Sequence, residues 1–124
     1  MKIEHFALNV PDPRAMADWY VANLGMTIAR SGPAPKHGRF LADDNGVMIE
    51  LYDDPADRYF DLAGTGTATF HLAFTVSNMA EERQRLIGAG AKAVGDVNTA
   101  PNGDQLALLR DPFGLTLQLA MRAR

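Results

Sequence analysis

The chain has 124 residues, 47% of them hydrophobic and 22% charged, with a net charge of −3; this suits one domain or two very small ones with an ordinary core. It has no cysteine, which excludes disulfides, zinc–thiolate sites and thiol nucleophiles, and no basic cluster that would favour nucleic acid as a partner. No apolar run approaches the roughly 18 residues of a membrane span, and the opening MKIEHFALNV is charged and strand-like, unlike a signal peptide, so a cytoplasmic protein without a membrane partner is expected.

Residues Ile3 to Val10 alternate as a first strand. PDPRAMADWYVANLG then reads as a helix. Asp12 is placed to cap it, Pro13 fits its first turn, and Met16, Trp19, Tyr20 and Leu24 form an apolar stripe that Gly25 ends. Trp19 is expected to anchor this helix to a sheet. MTIARSG and GRFLADD are strands flanking a Pro-rich loop. Asn45-Gly46 is a hairpin signal, and VMIELY is the strand that follows. The segment from Asp53 to Thr69, rich in Pro, Gly, Thr and Asp, reads as a connector. Phe70 to Val76 is the next strand. Ser77 or Asn78 caps a second helix reaching Ile87, GAGAKAV ends it and enters a strand, and QLALLRDPFGLTLQLA closes the chain as a hairpin.

The chain repeats itself. HFALNVPDP from His5 aligns with HLAFTVSNM from His71, 66 positions on, and LADDNGVMIELY from Leu41 aligns with LRDPFGLTLQLA from Leu109, 68 positions on. In the second pair Asp43 matches Asp111, Gly46 matches Gly114, and Glu50 matches Gln118. Two similar halves of about 60 residues follow from a match of this length.

Strand alternation then assigns the faces. Phe6, Leu8 and Val10 share one face, as do Leu72, Phe74 and Val76; Val47, Ile49 and Leu51; and Leu115, Leu117 and Leu119. This aliphatic face is expected under the helices. The opposite face carries His5, Glu50, His71 and Gln118: two imidazoles, a carboxylate and an amide. Such nitrogen and oxygen donors suit zinc, nickel, manganese, cobalt or ferrous iron. A lone strand histidine is more commonly a hydrogen-bonding residue and a lone glutamate a solvated one, and both readings stand for these four; the matched positions in two repeats favour a shared role. Met48 and Tyr52 flank Glu50 and are candidates to line an apolar pocket. Arg30, His37 and Arg39 surround the first hairpin, either as solvated charges, the simpler reading, or as contacts for an anionic substrate. Asp111 and Gly114 read most simply as turn residues.

IEHFALNVPDPRAMADWYVANLGM and LLRDPFGLTLQLA resemble the opening and closing segments of the vicinal oxygen chelate superfamily, which includes glyoxalase I, extradiol dioxygenases and bleomycin-binding proteins. The resemblance covers nearly the whole chain. It implies an α+β fold of two βαβββ modules, about 1–53 and 69–124, forming a U-shaped cleft within a single glyoxalase-like domain. It also implies metal ligands at His5, Glu50, His71 and Gln118, a divalent metal cofactor, a small-molecule substrate and a homodimer. The set is most similar to that of glyoxalase I, whose fourth ligand is a glutamate that also moves a proton. Gln118 departs from that pattern: its carbonyl can ligate, but it is no general base near neutral pH, which leaves Glu50 as the catalytic carboxylate. Two functions are implied. One is a metal-dependent lyase, isomerase or related enzyme on an oxygen-rich substrate. The other is a non-enzymatic small-molecule-binding or antibiotic-resistance protein.

Overall fold

A computed structural model describes all 124 residues, Met1–Arg124. It has two compact units, Met1–Phe60 and Asp61–Arg124. The first contains β1 (His5–Asn9), α1 (Pro13–Leu24), β2 (Thr27–Ser31), β3 (Arg39–Ala42) and β4 (Met48–Tyr52). The second contains β5 (Leu72–Thr75), α2 (Met79–Gly88), β6 (Lys92–Thr99), β7 (Gln105–Arg110) and β8 (Thr116–Met121). Each unit is therefore strand, helix and three strands, an α+β arrangement. The sheet orders correspond, β1-β4-β3-β2 and β5-β8-β7-β6. The first and last strands of each unit run parallel and the other pairings are antiparallel. No helix is long and apolar enough to cross a membrane.

The local chemistry explains the elements. Asp12 caps α1, its carboxylate accepting from Ala15 N at 3.1 Å, a contact that contributes about 1 kcal/mol at such positions. Pro13 opens the helix, where no N–H is needed. Gly25 ends it in the left-handed conformation, φ 68°. Of the two candidate caps for α2 the structure uses Asn78, whose side-chain oxygen accepts from Glu81 N at 3.1 Å. The helical stripe is shifted from the one expected. Met16, Ala17 and Tyr20 are fully buried against the sheet, whereas Trp19 is only partly buried and stands edge-on to Tyr20 at 5.8 Å. Tyr20, not Trp19, anchors the helix, because it follows Met16 by one helical turn and so points the same way.

The aliphatic faces of β1, β4 and β8 fall as alternation requires, whereas Leu72, Phe74 and Val76 are only partly buried, and Thr116 and Ala120 on the opposite face of β8 are buried too. Leu8, Val10, Leu41, Ile49 and Leu51 are buried in the first unit, and Leu109, Leu115, Leu117 and Leu119 in the second. The repeat is clearest in the two turns before β4 and β8. Asp43 accepts from Asn45 N and Val47 N at 2.8 and 3.0 Å. Asp111 accepts from Phe113 N and Leu115 N at 2.9 and 3.0 Å. Gly46 and Gly114 follow with φ of 85° and 104°. A short carboxylate holding two turn amides and a glycine with positive φ make this turn in both copies.

Strand ends are shorter than expected by one or two residues, so His71 lies just ahead of β5. The segment 53–69 carries no strand or helix, and each part of it is fastened to one unit. Asn9 accepts from Asp54 N at 2.7 Å and donates to the carbonyls of Asp54 and Arg58 at 2.8 and 3.0 Å. Arg110 donates to the carbonyls of Leu62 and Thr65 at 3.2 and 3.1 Å.

Candidate functional site

In the first unit His5 and Glu50 meet. β1 and β4 are parallel neighbours with Ala7 opposite Glu50, and His5 lies two residues before Ala7, on the same face. The imidazole Nε2 is 3.7 Å from Glu50 Oε1. That is beyond a hydrogen bond yet within ion-pair range. The Nδ1 atom of His5 lies 2.8 Å from Glu4 Oε1. An ionised carboxylate only accepts, so Nδ1 carries the proton, and in the neutral ring Nε2 presents a lone pair toward a second carboxylate. Two acceptors facing each other at this distance form a place for a cation or a proton. The ring also meets Phe40 edge-on, with centroids 5.2 Å apart.

The second unit repeats the arrangement. Ala73 lies opposite Gln118, and His71 precedes Ala73 by two residues. His71 Nδ1 is 2.8 Å from the backbone carbonyl of Thr67. A carbonyl is an acceptor, so Nδ1 is again the donor and Nε2 is left free. This is the tautomer that a metal-binding histidine requires, fixed by a partner on the other nitrogen. The side-chain amide of Gln118 makes no hydrogen bond within the chain. On its face lies Thr116, a residue 1% exposed whose hydroxyl has no hydrogen-bond partner. His71 and Thr116 each immediately precede the Leu72–Leu117 pair. A buried hydroxyl with no partner costs about 1–3 kcal/mol.

The donors thus suit a divalent cation in type and tautomer, and in the first unit His5 and Glu50 are also close together. No three His, Cys, Asp or Glu side chains gather into a group that could hold a metal ion. Of the other residues singled out, Tyr52 and Arg30 line a pocket of about 700 Å³ that includes Glu50. Met48 is not part of that lining. Arg39 is withdrawn from any ligand, its guanidinium donating to the carbonyls of Gly32, His37 and Gly38 at 3.3, 3.2 and 3.1 Å. His37 sits in the same turn at φ 49°. Asp111 and Gly114 are turn residues, as expected. Phe40 escaped the sequence reading of the site, though it was discoverable by carrying strand alternation across the pairings. Alternation puts Asn9 on the face of His5 and Thr116 on the face of Gln118, but Asn9 holds the backbone of the connector.

A family model, the Glyoxalase/Bleomycin resistance protein/Dioxygenase superfamily, matches residues 2–119. A lactoylglutathione lyase of Shigella flexneri is 28% identical over 127 residues, covering 96% of this chain and 91% of that protein. Among solved structures, a glyoxalase/bleomycin resistance protein/dioxygenase family enzyme from Burkholderia phytofirmans is similar with a TM-score of 0.77 at 18% identity, covering 98% of each chain. An antibiotic-binding protein from a Streptomyces species gives a TM-score of 0.71 at 20% identity, covering 99% of this chain and 97% of the other. At such identities these two structures speak for the fold alone.

Proposed function

The chain belongs to the glyoxalase/bleomycin resistance protein/dioxygenase superfamily, and from that premise we propose that it is a metal-dependent enzyme of the lyase or isomerase type, acting on a small oxygen-rich substrate. The observation that carries this reading is the pair of histidines. Each has Nδ1 held by an acceptor and Nε2 left free at equivalent places in the two repeats, and one Nε2 faces a carboxylate. His5, Glu50 and His71 are assigned as metal ligands, with Gln118 as a neutral oxygen ligand or a donor to substrate. A divalent metal, if bound by these residues, would supply Lewis acidity toward substrate oxygen. Glu50 is the group able to take a proton: its carboxylate is about a quarter exposed, so solvent and substrate both reach it. Gln118 orients an oxygen through its amide and takes no proton.

The unpaired amide of Gln118 also supports a second reading, a protein that holds a small molecule without transforming it. Elemental analysis of the purified protein and titration with zinc, nickel, manganese, cobalt and ferrous ions separate the two. The enzyme reading expects binding of at least one ion, weakened about tenfold or more in each of His5→Ala, Glu50→Gln and His71→Ala. Unchanged binding in all three variants refutes the ligand assignment and leaves the binding protein.

A further inference from the structure

β2 carries one residue more than β3 requires. Ile28 faces Leu41, and the next pair is Arg30 with Phe40, so β2 advances two residues while β3 advances one. One extra residue in a strand turns every later side chain to the opposite face. In an unbroken register Ala29 would face Phe40, and Arg30 would face Arg39, on the helix side with Leu51. With the bulge, Arg30 shares the face of Phe40. Phe40 faces Glu50, and Glu50 faces Ala7. Arg30, Phe40, Glu50 and Ala7 therefore form one row across all four strands, on the face turned away from the buried aliphatic residues. With about 4.8 Å between strands, the backbones of Arg30 and Glu50 lie about 10 Å apart, with Phe40 midway.

The pocket beside His5 lies over this row, and Lys36 and Asp54 also line it. Those two occupy each other, Lys36 Nζ being 3.4 Å from Asp54 Oδ2. Arg30 is exposed and its guanidinium has no hydrogen bond or ion pair within the chain, in contrast to that of Arg39. The matching row of the second unit is Ala73, Gln118, Leu108 and Val94, without a charge. Its irregularity in β6 falls between the Val94–Leu108 and Asn98–Leu106 pairs. It adds two residues, an even number that leaves the faces unchanged. The bulge and the cation belong to the first unit alone.

We propose that Arg30 is the anion-recognising residue of this pocket, and that the ligand it selects is a small carboxylate with a flat apolar body. The carboxylate takes the guanidinium fork, a bidentate match in charge and plane. The body lies across Phe40 and Tyr52. Glu50 repels the carboxylate from its own end, which fixes the direction in which the ligand enters. The opposite end, bearing oxygen donors, reaches His5 and Glu50. That end rests on the function proposed above, whereas the Arg30 end does not.

Three probes separate the two ends: protocatechuate, catechol and benzoate, titrated calorimetrically under argon with and without bound zinc. Protocatechuate against catechol reads the carboxylate end. The wild type is expected to prefer protocatechuate by about tenfold or more, Arg30→Gln to bring the ratio to about one, and Arg30→Lys to keep part of it, since it retains charge without the fork. Protocatechuate against benzoate reads the oxygen end and is expected to respond to Glu50→Gln and to zinc. A carboxylate preference that survives in Arg30→Gln overturns the proposal. So does protocatechuate binding no tighter than catechol in the wild type, including no binding of either. A lost oxygen-end preference with an intact Arg30-dependent ratio overturns the metal-site reading and leaves the anion subsite standing.

Discussion

Glutamine and glutamate have nearly the same shape, and they differ in charge and in the ability to hold a proton at neutral pH. Position 118 therefore changes the chemistry without disturbing β8, in which Gln118 pairs with Ala73 on one side and Leu108 on the other. Gln118→Glu is expected to raise affinity for a divalent ion by about tenfold, the scale of one added charge interaction of about 1.4 kcal/mol. It is also expected to raise isomerase turnover of a hemithioacetal, for which the wild type should be poor because it lacks the second carboxylate. Paired metal titration and steady-state kinetics check both outcomes, and efficient wild-type turnover would contradict the role given to this residue. The four polar residues were legible one by one because alternation separates them from the aliphatic face. The tautomer of each histidine was not, since Glu4 and Thr67 O are brought to Nδ1 only by the folded backbone.

At the scale of elements, the paired turns offer a controlled comparison. Gly46 and Gly114 both have positive φ, but a Cβ at Gly46 meets nothing within 4 Å, whereas one at Gly114 comes within 2.9 Å of Ala63 Cα. Gly46→Ala should cost about 1 kcal/mol, the strain of a left-handed backbone. Gly114→Ala should cost about 1–3 kcal/mol more, because the backbone at Ala63 has to move. Chemical denaturation of the two variants measures the difference, and equal losses would mean that the 62–65 segment yields freely. The sequence match of these turns was visible through Asp and Gly at equal spacing. The bulge in β2 was not, because nothing in TIARSG marks an extra residue; only its pairing with β3 reveals it.

For the whole molecule, each unit presents two of the four proposed ligands, so a complete set requires one unit of each kind. We propose a homodimer in which such pairs form, either within a chain or between chains. A mixture of His5→Ala and His71→Ala chains distinguishes the two. Exchange between chains gives mixed dimers with one intact set, which recovers the tighter metal binding that each variant alone has lost. Pairing within a chain leaves one histidine missing from every set, and nothing is recovered. Light scattering that reports a monomer at micromolar concentration would end the dimer proposal.

The duplicated strand–helix–three-strand plan was present in the sequence itself. Periodicity, caps and turn residues are local, and each repeat spells them within a few positions. Asp12, Asn78, Asp43 and Asp111 act within four residues of their own place. The aliphatic and polar faces were equally legible, since a strand's period of two needs no partner to define it. What only the tertiary structure decided depends on neighbours far away in the chain. It made Tyr20 rather than Trp19 the buried anchor, assigned Asn9 to the connector backbone, and isolated the Thr116 hydroxyl. It also turned Arg30 to the site face through the pairing of β2 with β3. The reason is physical: propensity and alternation are properties of a segment, whereas register, burial and the partner of a polar group are set by which segments lie side by side.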